Sequence, residues 1–275
     1  MKAEIVTNLQ ILLISILQGL TEFLPVSSSG HLILFSKFTV FSDQGPEMDV
    51  AVHVGSILAV IIYFWKEIWE MIKGLWQTKF IPIFTNQGSK LAWLIIIATI
   101  PAVIAGLSLK AYGLEHLRSA KLIGWTISGY AILLYLADKY GKTTRNTHDL
   151  GIKDAILIGC AQCLALIPGT SRSGITITAA RLLGIQRREA AKFSMLLSIP
   201  TIAGAGLLVA LSLYQNNDWG NINAACYGIA YSFIASLSAI FIMMTWLKKW
   251  TFTPFVIYRL VLGGYLLLNA YGYLN

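Results

Sequence analysis

The stretch Gln18–Leu32, QGLTEFLPVSSSGHL, has a second copy at Gln162–Thr176, QCLALIPGTSRSGIT. The copies align without a gap at one constant offset, which pairs Ser27 with Ser171 and Gly30 with Gly174. Because this offset slightly exceeds half of the 275 residues, the sequence predicts one membrane domain, 1–275, built from two related halves of about 1–145 and 146–275. Repeated breaks in hydrophobic sequence point to a shared central site.

Composition indicates a membrane protein. Only 12% of the residues are charged, 56% are hydrophobic and the mean hydropathy is +0.66, whereas soluble domains carry about 25% charged residues. Continuous apolar runs rather than alternating ones indicate a multi-pass all-α protein and exclude a β-barrel. The predicted spans are Val50–Trp65, Leu91–Leu109, Leu122–Ala137, Phe193–Leu213, Ala224–Leu247 and Phe255–Tyr271.

Each copy of the repeat predicts a re-entrant hairpin of two half-length helices joined by a polar turn. Pro25 and Pro168 end the first half-helices, because proline lacks the N–H and its ring clashes with the preceding turn. Three predicted spans separate the copies, and this odd number inverts one copy relative to the other. Irregular backbone at membrane depth must be buried in protein or line a watery cavity. We therefore expect inverted repeats whose two hairpins meet at a central site.

The carboxylate Glu22 is the first candidate for chemistry. Gln18 and Glu22 are spaced i and i+4, which places them on one helical face. Glu22 could hold a metal ion, act as a base or orient a neighbouring group. The alternative is a structural ion pair with Arg172. An intramembrane charge is costly and by default marks a functional site, so the sequence favours function.

The hydroxyls Ser27, Ser28 and Ser29 lie where a helix N-cap is expected, and one of them is predicted to be a cap only. His31 follows Ser28 by three residues and is predicted to take its proton, as in other hydroxyl–imidazole pairs. A histidine beside an apolar run is more often structural. Three serines and an intramembrane glutamate nearby favour function here.

Arg172 takes the place of Ser28 when the copies are aligned. Arginine is a permanently charged, fork-shaped donor suited to phosphate oxygens. Ser171, Ser173 and Thr176 surround it with further donors, and helix N-termini favour anions. A nucleophile in one hairpin opposite an anion clamp in the other indicates phosphoryl transfer, in which positioning and charge stabilisation dominate.

Other polar residues are less decisive. Asp49 and His53 are spaced i and i+4 at the start of a span, where they could add a ligand, line an entrance or form an interfacial pair. Tyr258 and Arg259 could reach the central cavity. Basic residues cluster between spans, which indicates contact with anionic headgroups and no nucleic-acid partner. They do not by themselves fix the orientation.

The chain resembles a known family at these residues. Gln18–Glu22 fits the (E/Q)xxxE motif, and Pro168–Thr176 fits the PGxSRSxxT motif, of bacterial undecaprenyl-diphosphate phosphatases of the bacitracin-resistance type. FLPVSSSGH at Phe23–His31 and the stretch Pro254–Arg259 are also similar, so the resemblance covers essentially the whole chain. It implies hydrolysis of undecaprenyl diphosphate to undecaprenyl phosphate and inorganic phosphate, which recycles the lipid carrier for peptidoglycan synthesis.

The resemblance also implies roles for individual residues. Ser28 is the nucleophile, His31 and Glu22 activate it, and Arg172 binds the diphosphate. It implies a divalent cation, Mg²⁺ or Ca²⁺, at Glu22, with Gln18 standing where the motif allows either a carboxylate or an amide. The expected substrate-binding residues are Gln18, Ser27, Ser29, Gly169, Ser171, Ser173 and Thr176. The expected location is the bacterial inner membrane, with the site facing the outer side. The expected partners are membrane lipids, and a homodimer is a further possibility.

Two alternatives remain open from the sequence. A polyprenyl-phosphate flippase would use the same inverted-repeat anion site, but it would not need a hydroxyl nucleophile with a base. The acid-phosphatase-like lipid phosphatases share an SGH segment. They also need a KxxxxxxRP motif and a histidine nucleophile after their arginine. The sequence has no such lysine–arginine–proline spacing, and no histidine closely follows Arg172.

Overall fold

The computed structural model of the chain is all-helical and describes residues 8–39, 41, 45–110, 119–215 and 222–273. The described residues form eleven α-helices. These are α1 Asn8–Phe23, α2 Ser28–Phe38, α3 Gly45–Tyr63, α4 Trp65–Gln77, α5 Gln87–Lys110, α6 Ala120–Tyr140, α7 Ile152–Cys163, α8 Arg172–Leu182, α9 Arg187–Gln215, α10 Ile222–Trp246 and α11 Thr253–Ala270.

Six of the helices are long and apolar enough to cross a membrane, namely α3, α5, α6, α9, α10 and α11. Each coincides with one predicted span, so the prediction of six spans is confirmed. The helices extend beyond the apolar runs: α3 begins at Gly45 rather than Val50, and α9 begins at Arg187 rather than Phe193. Helices continue into polar sequence at the membrane surface, where water and headgroups satisfy their end groups.

The repeated segments form two pairs of short helices, α1 with α2 and α7 with α8. Ser27 and Ser171, the aligned serines, both have a left-handed backbone, with φ of 81° and 72°. Each caps the helix that follows: the Ser27 hydroxyl accepts from Gly30 N at 3.3 Å and the Ser171 hydroxyl from Gly174 N at 3.1 Å. The copies therefore share backbone geometry at the turn, and the predicted N-caps are confirmed.

The two halves of the chain interlock through close helix contacts. In the pair α3–α10, a Cβ on Gly55 would collide with the carbonyl oxygen of Ile229, and the Ser56 hydroxyl lies 3.1 Å from that of Ser232. In the pair α1–α10, a Cβ on Gly19 would lie 2.8 Å from the Ser232 carbonyl oxygen. Helices α5 with α7, and α6 with α11, also pair one half with the other. Small residues permit this approach in membranes, where packing replaces the hydrophobic drive.

Helix α4 was not anticipated from the sequence. Its Gly74 packs against the start of α5, while Trp65, Trp69, Ile72 and Trp76 remain exposed along one side. The ammonium groups of Lys66 and Lys73 lie over the rings of Trp65 and Trp69, at 5.8 and 5.3 Å from the ring centroids. Tryptophan and lysine in this arrangement are typical of the membrane–water interface.

Several helix ends are tied together on one side of the molecule, which we call the basic face. Asp138, near the end of α6, accepts from Arg181 of α8 at 3.1 Å and from Arg187 of α9 at 2.7 Å. It also accepts from the backbone N of Phe252, just before α11, at 3.1 Å. The segments meeting here carry Lys66, Lys73, Lys79, Lys90, Lys139, Lys142, Arg145, Lys153, Arg181, Arg187, Arg188, Lys192, Lys248 and Lys249.

We expect Gly55→Ala to destabilise the protein, because the added methyl group meets backbone of α10 that cannot move away. Overpacking of this kind costs about 1–3 kcal/mol. Gly129→Ala is the matched control, since a Cβ there meets nothing within 4 Å and alanine favours a helix. Thermal unfolding in detergent should show a lower midpoint for Gly55→Ala than for Gly129→Ala. Equal midpoints would contradict the close packing of α3 on α10.

Candidate active site

Two turns join the short helices: the first turn, residues 24–27, joins α1 to α2, and the second turn, residues 164–171, joins α7 to α8. The carboxylate of Glu22 lies at the centre of a polar cluster between these two turns. Its Oε1 accepts from Arg172 Nη2 at 2.6 Å, and its Oε2 accepts from Ser28 Oγ at 2.7 Å and from Gln18 Nε2 at 2.9 Å. Four residues predicted from the sequence are therefore in direct contact. Two lie on α1, and the other two begin α2 and α8.

Burial makes these contacts energetically important. Gln18 is fully buried, and only 6% of Glu22 and 13% of Arg172 are exposed. An unpaired carboxylate at this depth would be costly, so the guanidinium of Arg172 is needed to compensate it. The second arm of Arg172, Nη1, donates to the Ser194 carbonyl at 2.9 Å and orients the fork. Structural pairing and function are thus not exclusive alternatives for Glu22.

The two turns touch each other through hydroxyls and glycines. Ser173 Oγ donates to the Leu24 carbonyl at 3.1 Å, which joins the second turn to the first. Gly169 has a φ of 90°, and a Cβ there would collide with Thr126 Oγ1. Only glycine tolerates both the backbone and the lack of space. Ser27 and Ser171 are buried caps, whereas Ser28 is half-buried and Ser29 is exposed.

His31 does not contact Ser28 as predicted. Its Nδ1 lies 2.7 Å from the Ser27 carbonyl oxygen, which can only accept, so Nδ1 carries the proton. Its Nε2 lies 2.6 Å from the hydroxyl of Tyr258, and the two rings are stacked with an angle of 9° between their planes. In the neutral imidazole, Nε2 therefore accepts from Tyr258. Both ring nitrogens of His31 are therefore engaged by partners other than Ser28.

Thr176 lies on the side of Arg172 that faces α9. Its hydroxyl contacts the Arg172 carbonyl at 2.9 Å and the Ser194 hydroxyl at 2.7 Å. Ser194 also supplies the carbonyl that Arg172 Nη1 contacts. Thr176 and Ser194 therefore hold Arg172 in position on the side that faces α9. Ser194 was not identified from the sequence, and its position within an apolar helix gave no signal.

Arg259 of α11 is fully buried and contacts the backbone of both turns. Its guanidinium donates to four backbone carbonyls, those of Ile127 at 3.1 Å, Pro25 at 3.3 Å, Gly169 at 3.1 Å and Thr170 at 3.0 Å. None of these four partners is a carboxylate, so among the described residues its positive charge has no ion-pair partner. The sequence suggested only that Arg259 could reach the cavity.

His53 approaches the cluster from α3. Its Nε2 lies 3.9 Å from Glu22 Oε2, and its Nδ1 lies 2.6 Å from the Asp49 carbonyl oxygen. The sequence left open whether His53 was a ligand, an entrance residue or part of an interfacial pair with Asp49. The structure places its ring at the carboxylate, with 30% of the side chain exposed.

Comparison with known proteins agrees with the motifs. A family model described as bacitracin resistance protein BacA matches residues 11–265. The chain belongs to this family. A Roseobacter denitrificans protein named undecaprenyl-diphosphatase is 49% identical over 266 residues, which is 96% of this chain and 99% of the relative. Proteins of the same name from Alteromonas mediterranea and Jannaschia sp. are 48% and 47% identical, over 95% and 94% of this chain and 98% and 97% of those relatives.

The family resemblance implies a divalent cation, and the donor atoms present fit one in part. No group of three or more His, Cys, Asp or Glu side chains that could hold a metal occurs among the described residues. Glu22 offers one carboxylate, and the buried Oε1 of Gln18 has no hydrogen-bond partner. Mg²⁺ is commonly held by one or two carboxylates together with substrate phosphates. Glu22 and Gln18 fit such a site when a diphosphate supplies the other oxygens.

We expect Arg259→Met to lower the free energy of unfolding by about 3 kcal/mol or more, because four buried carbonyls lose their donor. Arg259→Lys keeps the charge but not the fork and should fall between Arg259→Met and the unmodified protein. Arg188→Met is the control, since Arg188 is exposed on the basic face. Denaturant unfolding of the purified variants measures the differences. If Arg259→Met were as stable as Arg188→Met, the turns would not depend on this guanidinium.

Proposed function

We propose that this protein is an undecaprenyl-diphosphatase that hydrolyses undecaprenyl diphosphate to undecaprenyl phosphate and inorganic phosphate. The observation that carries the proposal is the contact of Ser28, Glu22 and Arg172 across the two turns. A hydroxyl, a carboxylate that accepts its proton and a phosphate-binding guanidinium are the parts that phosphoryl transfer requires. The family and the name shared by its relatives supply the substrate.

Binding of the diphosphate follows from the charges at the cluster. The guanidinium of Arg172 can hold two oxygens of one phosphate group, which makes it a bidentate clamp. Helices α2 and α8 begin at Ser28 and Arg172, and their free N–H groups favour an anion. Arg259 adds positive charge beside both turns. The exposed hydroxyl of Ser29, the amide of Gln18 and the backbone at Gly169 complete the proposed contacts with phosphate oxygens. The hydroxyls of Ser27, Ser171, Ser173 and Thr176 bond within the protein and support these contacts by holding the turns and Arg172 in place.

The reaction begins at the Ser28 hydroxyl. Its oxygen attacks the terminal phosphorus, the bond from that phosphorus to the bridging oxygen breaks, and undecaprenyl phosphate leaves with the bonding electrons. The hydroxyl proton passes to Glu22 Oε2, 2.7 Å away. Water then attacks the phosphoserine, and the bond from phosphorus to Ser28 Oγ breaks. The proton held by Glu22 returns to Ser28 Oγ, while the water adds its hydroxyl to the released phosphate and gives its second proton to solvent. Arg172 stabilises the negative charge of the transferring group.

His31 acts as a positioning residue in this scheme. With Nδ1 bound to the Ser27 carbonyl and Nε2 to Tyr258, it fixes the first turn against α11. It thereby sets the position of the neighbouring Ser28 rather than taking its proton directly.

The divalent cation, Mg²⁺ or Ca²⁺ by family resemblance, would be held by Glu22 and Gln18 together with the diphosphate. When bound, it neutralises phosphate charge and so makes the phosphorus easier to attack.

We propose that α1–α2 and α7–α8 are re-entrant hairpins in inverted repeats. At about 1.5 Å per residue, α7 and α8 are about 18 and 17 Å long, too short for a core of about 30 Å. The start of α7 and the end of α8 lie at the same face, because Arg145 of the basic face binds both Asp154 at 2.6 Å and the Leu183 carbonyl at 2.9 Å. Three spans, α3, α5 and α6, separate the hairpins, as inversion requires.

The basic face supports an orientation in the bacterial inner membrane. Loops rich in Lys and Arg stay in the cytoplasm, and the described helix ends on the opposite side carry few, namely Lys37, Lys110 and Lys121. The basic face is therefore the cytoplasmic one. The hairpin α1–α2 then enters from the outer side and carries Ser28, so that the lipid substrate is processed there.

We expect Ser28→Ala to lower kcat for phosphate release from undecaprenyl diphosphate by at least about a thousandfold, because the nucleophile is lost. Ser29→Ala, one residue away on the same helix, should stay within about tenfold of the unmodified protein, since only a weak hydroxyl contact is removed. Phosphate release in detergent measures both, and radiolabelled substrate should label Ser28 covalently. Release by Ser28→Ala at the unmodified rate would refute the mechanism. Full loss without labelling would instead indicate direct attack by water.

We expect opposite labelling at the two faces in intact cells freed of their outer membrane. In a variant with Cys160, Cys163 and Cys226 replaced by alanine, Tyr273→Cys should react with a maleimide that cannot cross the membrane. Lys249→Cys on the basic face should react only after the cells are opened. The reverse pattern would invert the proposed orientation.

A further inference from the structure

We propose that His53 is a nitrogen ligand of the divalent cation at Glu22, and that the site consequently prefers a first-row transition ion such as Mn²⁺ to Ca²⁺. The inference rests on the proposed function, in which Glu22 holds a cation beside the diphosphate. It adds a residue from a membrane-spanning helix, outside both repeated segments.

The position of His53 suits coordination better than hydrogen bonding. Its Nε2 lies 3.9 Å from Glu22 Oε2, whereas a hydrogen bond between nitrogen and oxygen spans about 2.7–3.2 Å. Two ligand atoms that are each about 2.1 Å from one metal lie at most about 4.2 Å apart. The observed separation is within the reach of one shared ion.

The state of the imidazole points the same way. Nδ1 lies 2.6 Å from the Asp49 carbonyl oxygen, which can only accept, so Nδ1 carries a proton. In the neutral ring, Nε2 then presents its lone pair towards Glu22. A ligating histidine commonly donates its other nitrogen to a backbone carbonyl in this way, which fixes the tautomer.

The Glu22 carboxylate does not depend on direct contact with His53, because both of its oxygens already have partners. Glu22 Oε1 is already neutralised by Arg172 at 2.6 Å, and Oε2 already accepts from Ser28 and Gln18. Once a diphosphate draws Arg172 away, the carboxylate and the imidazole lone pair are left facing each other. A cation between them relieves that repulsion.

The amide of Gln18 is a second, independent donor that fits a cation at Glu22. It is fully buried, and its Oε1 has no hydrogen-bond partner, although a buried amide oxygen normally has one. The same amide touches Glu22 through Nε2 at 2.9 Å. The two ends of an amide exchange by a flip, which would bring Oε1 to the carboxylate as an oxygen ligand.

The donor set determines the kind of metal. One imidazole nitrogen with one carboxylate and one amide oxygen suits first-row divalent ions, whereas Ca²⁺ prefers six to eight oxygens. The remaining positions are left for water and for diphosphate oxygens.

Mn²⁺ added to the purified full chain in detergent tests the proposal, because pulsed electron paramagnetic resonance detects a nitrogen bound directly to the ion. We expect nitrogen coupling in the unmodified protein. His53→Gln should abolish the coupling and weaken Mn²⁺ binding by about tenfold or more, with Ca²⁺ binding little changed. His148→Gln is the matched control, since His148 is exposed at the basic face and contacts Gln87.

The outcomes separate this inference from the proposed function. Mn²⁺ binding without nitrogen coupling, coupling that survives in His53→Gln, or the absence of Mn²⁺ binding would each overturn the role of His53. Phosphate release measured on the same preparations, with Mn²⁺ and with Ca²⁺, tests the phosphatase activity separately. Release that persists while coupling is absent would overturn the ligand and leave the phosphatase standing.

Discussion

The need to satisfy buried backbone carbonyls controls the centre of this protein. Both turns break their helices inside the protein, where buried peptide groups need hydrogen-bond partners from the chain itself. Arg259 answers this need by donating to carbonyls of both turns and of α6 at once. A single guanidinium thereby sets the spacing of the two helix starts that carry Ser28 and Arg172. The site geometry is a consequence of that backbone requirement.

In the proposed mechanism, the diphosphate must compete with the Glu22 carboxylate for the guanidinium of Arg172. Arg172 is already engaged by a buried carboxylate at 2.6 Å, so an incoming anion must offer a better partner. A diphosphate carries more charge than a carboxylate and matches the guanidinium with two oxygens. Weaker anions gain little by displacing Glu22, which favours the doubly phosphorylated lipid over singly charged lipids.

The sequence predicted the helices that depend on local patterns. Six apolar runs became six long helices, and the aligned serines became caps because proline, glycine and serine act locally. It did not predict α4, since Trp65, Trp69 and Trp76 occur among charged residues and resemble a polar connection.

The contacts of His31, Arg259 and His53 also lay beyond local patterns. Each depends on a partner in another segment, and Tyr258 is 227 residues from His31. Spacing alone paired His31 with Ser28, but the Ser27 carbonyl and the distant Tyr258 hydroxyl occupy both ring nitrogens instead. The sequence indicated the ion pair of Glu22 with Arg172 only as the alternative to a functional role for Glu22, and the structure contains that pair.

The crossed pairing of the halves limits how this protein can move. Helices α1 and α3 of the first half pack closely against α10 of the second half. The contacts at Gly19 and Gly55 leave no space for these helices to slide along one another. Alternating access needs two bodies that rock against each other about a fixed site. Here helices of the two halves are packed against each other, so a rocking motion would first have to break the contacts of α1 and α3 with α10. The close packing instead holds the two turns still, as a preorganised catalyst requires.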